Sequence, residues 1–177
     1  MIVRRERPAD HRAVHGLHLA AFAVDPVTGA LRSPQDVPEA PLVDALREDS
    51  GFLPHLSLVA VDGDRIVGNV LATRAWLEPP GTPVLGLGPL GVHPDVQGRA
   101  IRTILVHALL AVAEACEEPV VALVGSPGYY SRFGFSSASD LGIAAPDPRW
   151  GEHFQARRLT GLPVRGTFRF AEPFGRV

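Results

Sequence analysis

The sequence predicts an α/β fold, because strand-like and helix-like segments alternate along the chain. A short strand at Ile2–Arg5 precedes a helix over residues 8–22, whose apolar residues recur on one face. Two later apolar runs flank Asp62-Gly63-Asp64, a sequence typical of a β-hairpin turn. The clearest helical periodicity covers residues 97–117 and leads into another apolar strand. Strands and helices in this order favour a central sheet covered by helices.

The remaining elements follow from the same periodicities. Residues 25–38 carry three prolines and a glycine, so we predict an irregular segment there, with a helix at 39–49 after it. The other predicted elements are hairpin strands at 56–61 and 65–75, strands at 84–92 and 120–124, a helical turn at 129–133, a strand from Phe135 and a strand at 166–170.

The composition is typical of a soluble globular protein. The 177 residues are 46% apolar and 20% charged, without an apolar run long enough to span a membrane. A formal charge of −2 gives no general attraction to nucleic acid or anionic membranes. Cys116 is the only cysteine, and no charged leader with an apolar stretch opens the chain, so we expect the cytoplasm. We therefore expect one domain over residues 1–177, with no nucleic-acid or membrane partner.

Gly86, Gly88 and Gly91 formally match the spacing of dinucleotide-binding loops. We reject that interpretation, since such a loop opens into a helix, whereas Pro94 biases His93 towards an extended conformation. An acidic residue about 20 positions later, which would bind a ribose, is also absent. The glycines instead indicate a strand that splays away from its neighbour.

The turn between this strand and the long helix is a candidate anion site. The first backbone N–H groups of a helix have no partner inside it, and the helix dipole favours negative charge there. Gly98 lets the backbone approach a ligand closely, and Arg99 and Arg102 add positive charge at an end where a helix disfavours cations. A bound phosphate would offset that cost. A solvated basic helix start stays open as the alternative.

Two segments resemble a known family. Residues 90–99, Leu-Gly-Val-His-Pro-Asp-Val-Gln-Gly-Arg, resemble the coenzyme-A-binding strand and turn of the GNAT N-acetyltransferases. Residues 125–135 resemble the aromatic-Tyr-x-x-x-Gly-Phe ending that follows the next strand in that family, and are especially similar to its YhbS-like members. The resemblance implies an α/β GNAT fold: a central mixed, mostly antiparallel sheet of six or seven strands, with splayed strands and helices on both faces.

The resemblance also implies an activity and a site. We expect acetyl-CoA-dependent acetylation of a small-molecule amine, without a metal, by a chain that is a possible homodimer. Tyr130 falls on the position whose hydroxyl protonates the departing thiolate in many members. The residues implied to bind the coenzyme are Leu90, Gly91, Val92, Gln97, Gly98, Arg99, Ala100, Ile101, Arg102, Thr103 and Ser126.

The coenzyme-binding signature departs from the family at two positions. Ala100 stands where glycine is usual, and alanine adopts a positive φ only with strain. Arg102 stands where glycine or alanine is usual, and it could either clamp a pyrophosphate or fill the cradle itself. A non-catalytic binding module with an altered cradle is therefore the alternative to an enzyme.

A general base is not evident from the sequence. The strand at 84–92 carries no carboxylate of the kind some family members use. Glu39 lies in the helix that could border the acceptor, but a solvated helix start is the favoured interpretation of this residue. His93 and Asp95 belong to the turn and are expected to shape it.

Overall fold

A single sheet forms the central layer of the molecule. The computed structural model describes residues 1–25 and 28–176, and nine strands join the sheet within them. In chain order these are β1 (Ile2–Arg5), β2 (Phe52–Asp62), β3 (Arg65–Glu78), β4 (Thr82–Val92), β5 (Val120–Val124), β6 (Ser136–Ser137), β7 (Ile143–Ala144), β8 (Phe154–Arg158) and β9 (Gly166–Arg169).

The sheet is mixed and mostly antiparallel, as predicted. Its main path of seven strands runs β1-β2-β3-β4-β5-β8-β6, and the short strands β7 and β9 lie off that path. Strands β4 and β5 pair in parallel, whereas the neighbours on either side of them pair antiparallel. The hairpin turn between β2 and β3 is confirmed, with Asp62 opposite Arg65 and Gly63 at φ +58°.

Helices cover both faces of the sheet, which also agrees with the prediction. The four α-helices of the described chain are α1 (His11–Ala21), α2 (Glu39–Glu48), α3 (Ile101–Ala115) and α4 (Pro127–Tyr130). Leu105 of α3 packs with Leu58 of β2 on one face, while Val43 of α2 packs with the next β2 residue, Val59, on the other. Successive strand residues point to opposite faces, so one strand supplies both cores.

The long helix begins later than its apolar periodicity predicted. It starts at Ile101 rather than Gln97, because Gly98 and Ala100 have φ of +83° and +59°, in the left-handed region that a right-handed helix excludes. A short 3-10 turn, Pro94–Val96, precedes them. Residues 97–100 therefore form a separate turn in front of α3.

Strand β8 was not predicted. Gln155 interrupts its apolar character, yet this side chain is fully buried because its Nε2 donates a hydrogen bond to the carbonyl oxygen of Gly125 at 2.9 Å. Long-range pairing with β5 therefore creates a strand where local alternation is weak.

Smaller differences concern boundaries and one loop. Strand β2 starts four residues earlier than predicted, β3 ends at Glu78, and α4 starts at Pro127. The predicted irregular segment 25–38 contains a 3-10 turn at Pro34–Asp36, and its Pro26 lies outside the described residues. None of the helices within the described ranges has the length and apolar character needed to cross a membrane.

Candidate active site

Strands β4 and β5 form only a short ladder before they part. Their parallel register is limited to Leu85 opposite Val121 and Gly86 opposite Ala122. Beyond it a cavity of about 300 Å³ lies between the two strands, and we call this cavity the split. It is lined by Phe22, Glu39, Leu87, Gly88, Pro89, Leu90, Arg102, Leu123, Val124, Gly125, Ser126, Tyr129 and Tyr130.

A β-bulge in β4 accompanies the parting of the strands. Opposite β3, Leu90 pairs with Val70 and Leu87 pairs with Ala72, so two residues of β4 stand against one of β3. The extra residue bends β4 at Gly88, whose φ of +145° glycine tolerates. The glycine-rich strand therefore splays away from its neighbour β5, as the sequence indicated.

A second cavity, of about 480 Å³, lies in front of α3, and we call it the cradle. The turn at residues 97–100 forms one side of it, and Gln97 fastens this turn to β4 by donating a hydrogen bond from Nε2 to the Val92 carbonyl oxygen at 3.3 Å. The first-turn N–H groups of α3 have no acceptor within the helix. The residues that line the cradle are Val92, Val96, Gln97, Gly98, Ala100, Ile101, Arg102, Thr103, Tyr129 and Arg132.

Two arginines flank one tyrosine beside the cradle. The guanidinium carbons of Arg102 and Arg132 lie 5.4 Å and 4.8 Å from the centroid of the Tyr129 ring. Within the described part of the chain neither arginine has a carboxylate within ion-pair distance. Cations without an acidic partner at a helix N-terminus make this cavity electropositive. Arg102 lines the cradle without filling it.

Tyr130 is closely packed in the wall of the split. Its ring is 9% exposed and packs edge-on against Phe135 at a centroid distance of 5.8 Å. Gly125 leaves the necessary room, because a Cβ there would lie 2.4 Å from the Tyr130 ring. Burial raises the pKa of the Tyr130 phenol, and the nearby charge of Arg102 opposes that effect only in part. Tyr130 therefore remains a protonated hydroxyl at neutral pH.

Comparison with known proteins decides the family. Residues 3–138 match the family model described as an acetyltransferase (GNAT) domain. The chain belongs to the GNAT acetyltransferase family. The match covers both elements that were recognised in the sequence, the coenzyme-binding turn and the Tyr-containing segment after β5.

Relatives of this GNAT chain are named N-acetyltransferases, and two solved ones hold coenzyme. The uncharacterized N-acetyltransferase YjhQ of Escherichia coli is 37% identical over 148 residues, 76% of this chain and 79% of YjhQ. A structure of Escherichia coli YhbS in complex with CoA has a TM-score of 0.86 at 27% identity, covering 99% of this chain and 92% of YhbS. A Brucella melitensis GNAT acetyltransferase in complex with acetyl-CoA has a TM-score of 0.78 at 27% identity, covering 98% and 97%.

Most of the coenzyme-binding residues predicted for this GNAT chain lie around the two cavities. Gly91 and Arg99 are outside both walls. Gly91 faces α1 instead, where a Cβ would lie 3.0 Å from Nδ1 of His18. Sequence reasoning did not identify Arg132, although it stands two residues after Tyr130 in the recognised segment.

Glu39 lies in a different environment from the solvated helix start that the sequence favoured. It is half-buried at the first residue of α2 and lines the split, and its Oε2 atom is buried without a hydrogen-bond partner in the described chain. Phe22, at the end of α1, forms the adjacent wall. No local pattern marks either residue, since tertiary packing alone brings α1 and α2 to the split.

His93 and Asp95, which were expected to shape the turn, are hydrogen-bonded to each other within it. His93 accepts a hydrogen bond at Nδ1 from the Asp95 backbone N–H at 3.3 Å, and Arg65 contacts both side chains. In residues 1–25 and 28–176 we find no group of three or more His, Cys, Asp or Glu side chains arranged to hold a metal.

Proposed function

We propose that this protein transfers the acetyl group of acetyl-CoA to the nitrogen of an amine. The observation that carries the proposal is the adjacency of the cradle and the split, which share Arg102 and Tyr129 as wall residues. A coenzyme with its diphosphate in the cradle would extend past this shared wall and place its thioester in the split. The solved relatives in complex with CoA and acetyl-CoA support this coenzyme as the ligand.

In this proposal the diphosphate is bound by charge and by backbone dipoles together. The N–H groups of residues 101–103 and the α3 dipole favour an anion in the cradle. Arg102 and Arg132 add donors whose planar fork suits phosphate oxygens. The pantetheine arm follows the edge of β4 from Val92 to Leu90, where β5 no longer pairs, and its amides would bond to edge N–H and C=O groups other than the Val92 carbonyl, which accepts from Gln97.

The chemistry would be direct attack of the amine on the thioester carbonyl. A backbone N–H of the unpaired β4 edge near Leu90, which lines the split, polarises the carbonyl oxygen. The C–N bond forms, the C–S bond breaks, and Tyr130 gives its hydroxyl proton to the departing sulfur. Its buried environment supports this role, because a phenol with a raised pKa is fully protonated and available at neutral pH.

Replacement of Tyr130 by Phe tests the proposal. We expect kcat to fall by about 10²- to 10⁴-fold, the usual contribution of a positioned proton donor, while the Kd of acetyl-CoA stays within about twofold. Tyr129→Phe is the matched control, since the one hydrogen bond of the Tyr129 hydroxyl among the described residues is with Thr103 Oγ1, at 3.4 Å. Thiol release across a panel of amines gives kcat, and calorimetry gives Kd. Equal loss of turnover and coenzyme affinity in Tyr130→Phe would contradict the proton-donor role.

Three broader expectations remain predictions. They are a single domain over residues 1–177, a cytoplasmic location and a possible homodimer. Sedimentation velocity of the purified chain tests the third. A dimer is expected to sediment with twice the chain mass of 18.9 kDa, and a species of 18.9 kDa would contradict this expectation.

A further inference from the structure

The side chains that line the split indicate which class of acceptor it can bind. Most of these side chains are apolar or aromatic, although polar atoms contribute a comparable share of the surface: the apolar and aromatic ones are Phe22, Leu87, Pro89, Leu90, Leu123 and Val124 together with two tyrosine rings. Glu39 is the carboxylate among its lining residues, and Arg102, on the side shared with the cradle, is the cation. Among the described residues the split therefore has one negative group, and that group does not line the cradle proposed for the coenzyme phosphates.

The buried Oε2 atom of Glu39 has no hydrogen-bond partner among the residues that the structure describes. A buried carboxylate oxygen is costly when it stays unpaired. Glu39 is the first residue of α2, where the helix dipole attracts negative charge but supplies no hydrogen bond to Oε2. A cationic group entering the split would supply the missing partner.

We propose that the acceptor is a small amine with an apolar body and no carboxylate, and that Glu39 binds its ammonium group and takes one proton from it. This inference rests on the acetyltransferase function proposed above. Glu39 comes from α2 and Tyr130 from α4, and both line the split. One can therefore receive a proton and the other donate one around the same thioester.

The protons and bonds balance in this scheme. The ammonium passes one proton to Glu39 and becomes a neutral amine, a change that the apolar walls favour because burial disfavours the charged form. The amine forms the C–N bond, and the C–S bond breaks as Tyr130 protonates the sulfur. The second proton leaving the nitrogen restores the Tyr130 hydroxyl, and Glu39 releases its proton to water.

The charge and size of the split restrict the acceptor. A carboxylate beside the amine would be repelled by Glu39, while Arg102 faces the coenzyme diphosphate in our proposal. The cavity of about 300 Å³ corresponds to roughly ten liquid water volumes, enough for the acetyl group and one aromatic ring. Benzylamine has these properties, and phenylglycine is the same molecule with a carboxylate added.

The experiment compares three acceptors and two variants by thiol release from acetyl-CoA. Wild-type kcat/KM is expected to be at least about tenfold higher for benzylamine than for phenylglycine. Glu39→Gln is expected to lower kcat/KM for benzylamine by at least about tenfold, with both a higher KM and a lower kcat. For aniline, whose nitrogen is already unprotonated at neutral pH, the loss is expected to be much smaller. Glu48→Gln, at an exposed residue on the last turn of the same helix, is the control.

Each contrary result overturns a definite part of the inference. Equal or better use of phenylglycine would refute the acceptor class. Equal losses for benzylamine and aniline in Glu39→Gln, or kinetics matching Glu48→Gln, would refute the proton-accepting role. If acetyl-CoA binds and other amines are acetylated but benzylamine is not, only this inference fails. If acetyl-CoA neither binds nor is consumed with any amine, the proposed function itself fails.

Discussion

His18 makes the stability of this protein depend on pH in a calculable way. The side chain is fully buried, and its Nε2 contacts Oδ1 of Asn69 at 2.9 Å. Asn69 also donates a hydrogen bond from Nδ2 to the Leu58 carbonyl oxygen at 3.0 Å, so its Oδ1 accepts from the His18 N–H. Burial lowers the pKa of His18 to about 4 from its ordinary 6.5, and the bond to Asn69 offsets this only in part.

The sign and size of the effect follow from that shift. Above about pH 6.5 the imidazole is neutral in both folded and unfolded chains, so it adds no pH dependence. Between pH 6.5 and about 4 the unfolded chain binds a proton that the folded chain excludes, and the free energy of unfolding falls as the pH falls. A difference of about 2.5 pH units, at 1.36 kcal/mol each, corresponds to a loss of about 3 kcal/mol.

Urea unfolding at pH 7, 5.5 and 4.5 measures this loss. We expect His18→Gln, which keeps an amide donor for Asn69 but cannot titrate, to lose less stability than the wild type over this range. The pKa of the Asp10 carboxylate is lowered chiefly by its hydrogen bonds from Arg4. Its contribution to the free energy of unfolding is therefore lost only below its ordinary pKa of 3.8. Its effect is the same in both proteins. Equal pH dependence of wild type and His18→Gln would refute the reasoning.

Three further substitutions probe the cradle and the split. Ala100→Gly relieves the strain of a non-glycine residue at φ +59°, so a gain of about 1 kcal/mol and a melting temperature higher by about 2–4 °C are expected; calorimetry showing no gain would contradict this. Arg102→Gly removes a clamp, and the Kd of acetyl-CoA should rise about tenfold or more; a lower Kd would show that Arg102 obstructs the cradle. Gly125→Ala pushes against the Tyr130 ring, so kcat should fall at least about tenfold with acetyl-CoA affinity retained; unchanged turnover would contradict the packing argument.

Local sequence predicted the parts of the fold and site that consecutive residues build. The turn at 97–100 and the start of α3 are determined by residues close together in the sequence. The turn and the helix were therefore predicted, although the first residue of the helix was wrong. At Ala100 the sequence raised the question of a positive φ, and the chain adopts it, because the surrounding turn imposes the conformation that glycine would otherwise provide.

Long-range packing decided what the sequence could not predict. Strand β8 depends on pairing with β5, and its buried Gln155 is satisfied by Gly125, about 30 residues away along the chain. Glu39 resembled an ordinary acidic helix start, since nothing near it in the sequence shows that α2 borders the split. Arg132 lies beside the cradle because it contacts the Tyr129 ring, and Tyr129 packs against the start of α3, where its hydroxyl lies within hydrogen-bond distance of Thr103.

The central claim is that the cradle in front of α3 binds the diphosphate of acetyl-CoA while the split receives its thioester. Calorimetric titration with acetyl-CoA and with S-acetylpantetheine, which lacks the diphosphate, tests it directly. We predict saturable binding of acetyl-CoA below millimolar concentration and at least about hundredfold weaker binding of S-acetylpantetheine, as expected when two or more charge-assisted contacts are lost. Equal affinity for the two compounds, or no binding of acetyl-CoA at millimolar concentration, would contradict the account and favour a non-catalytic module.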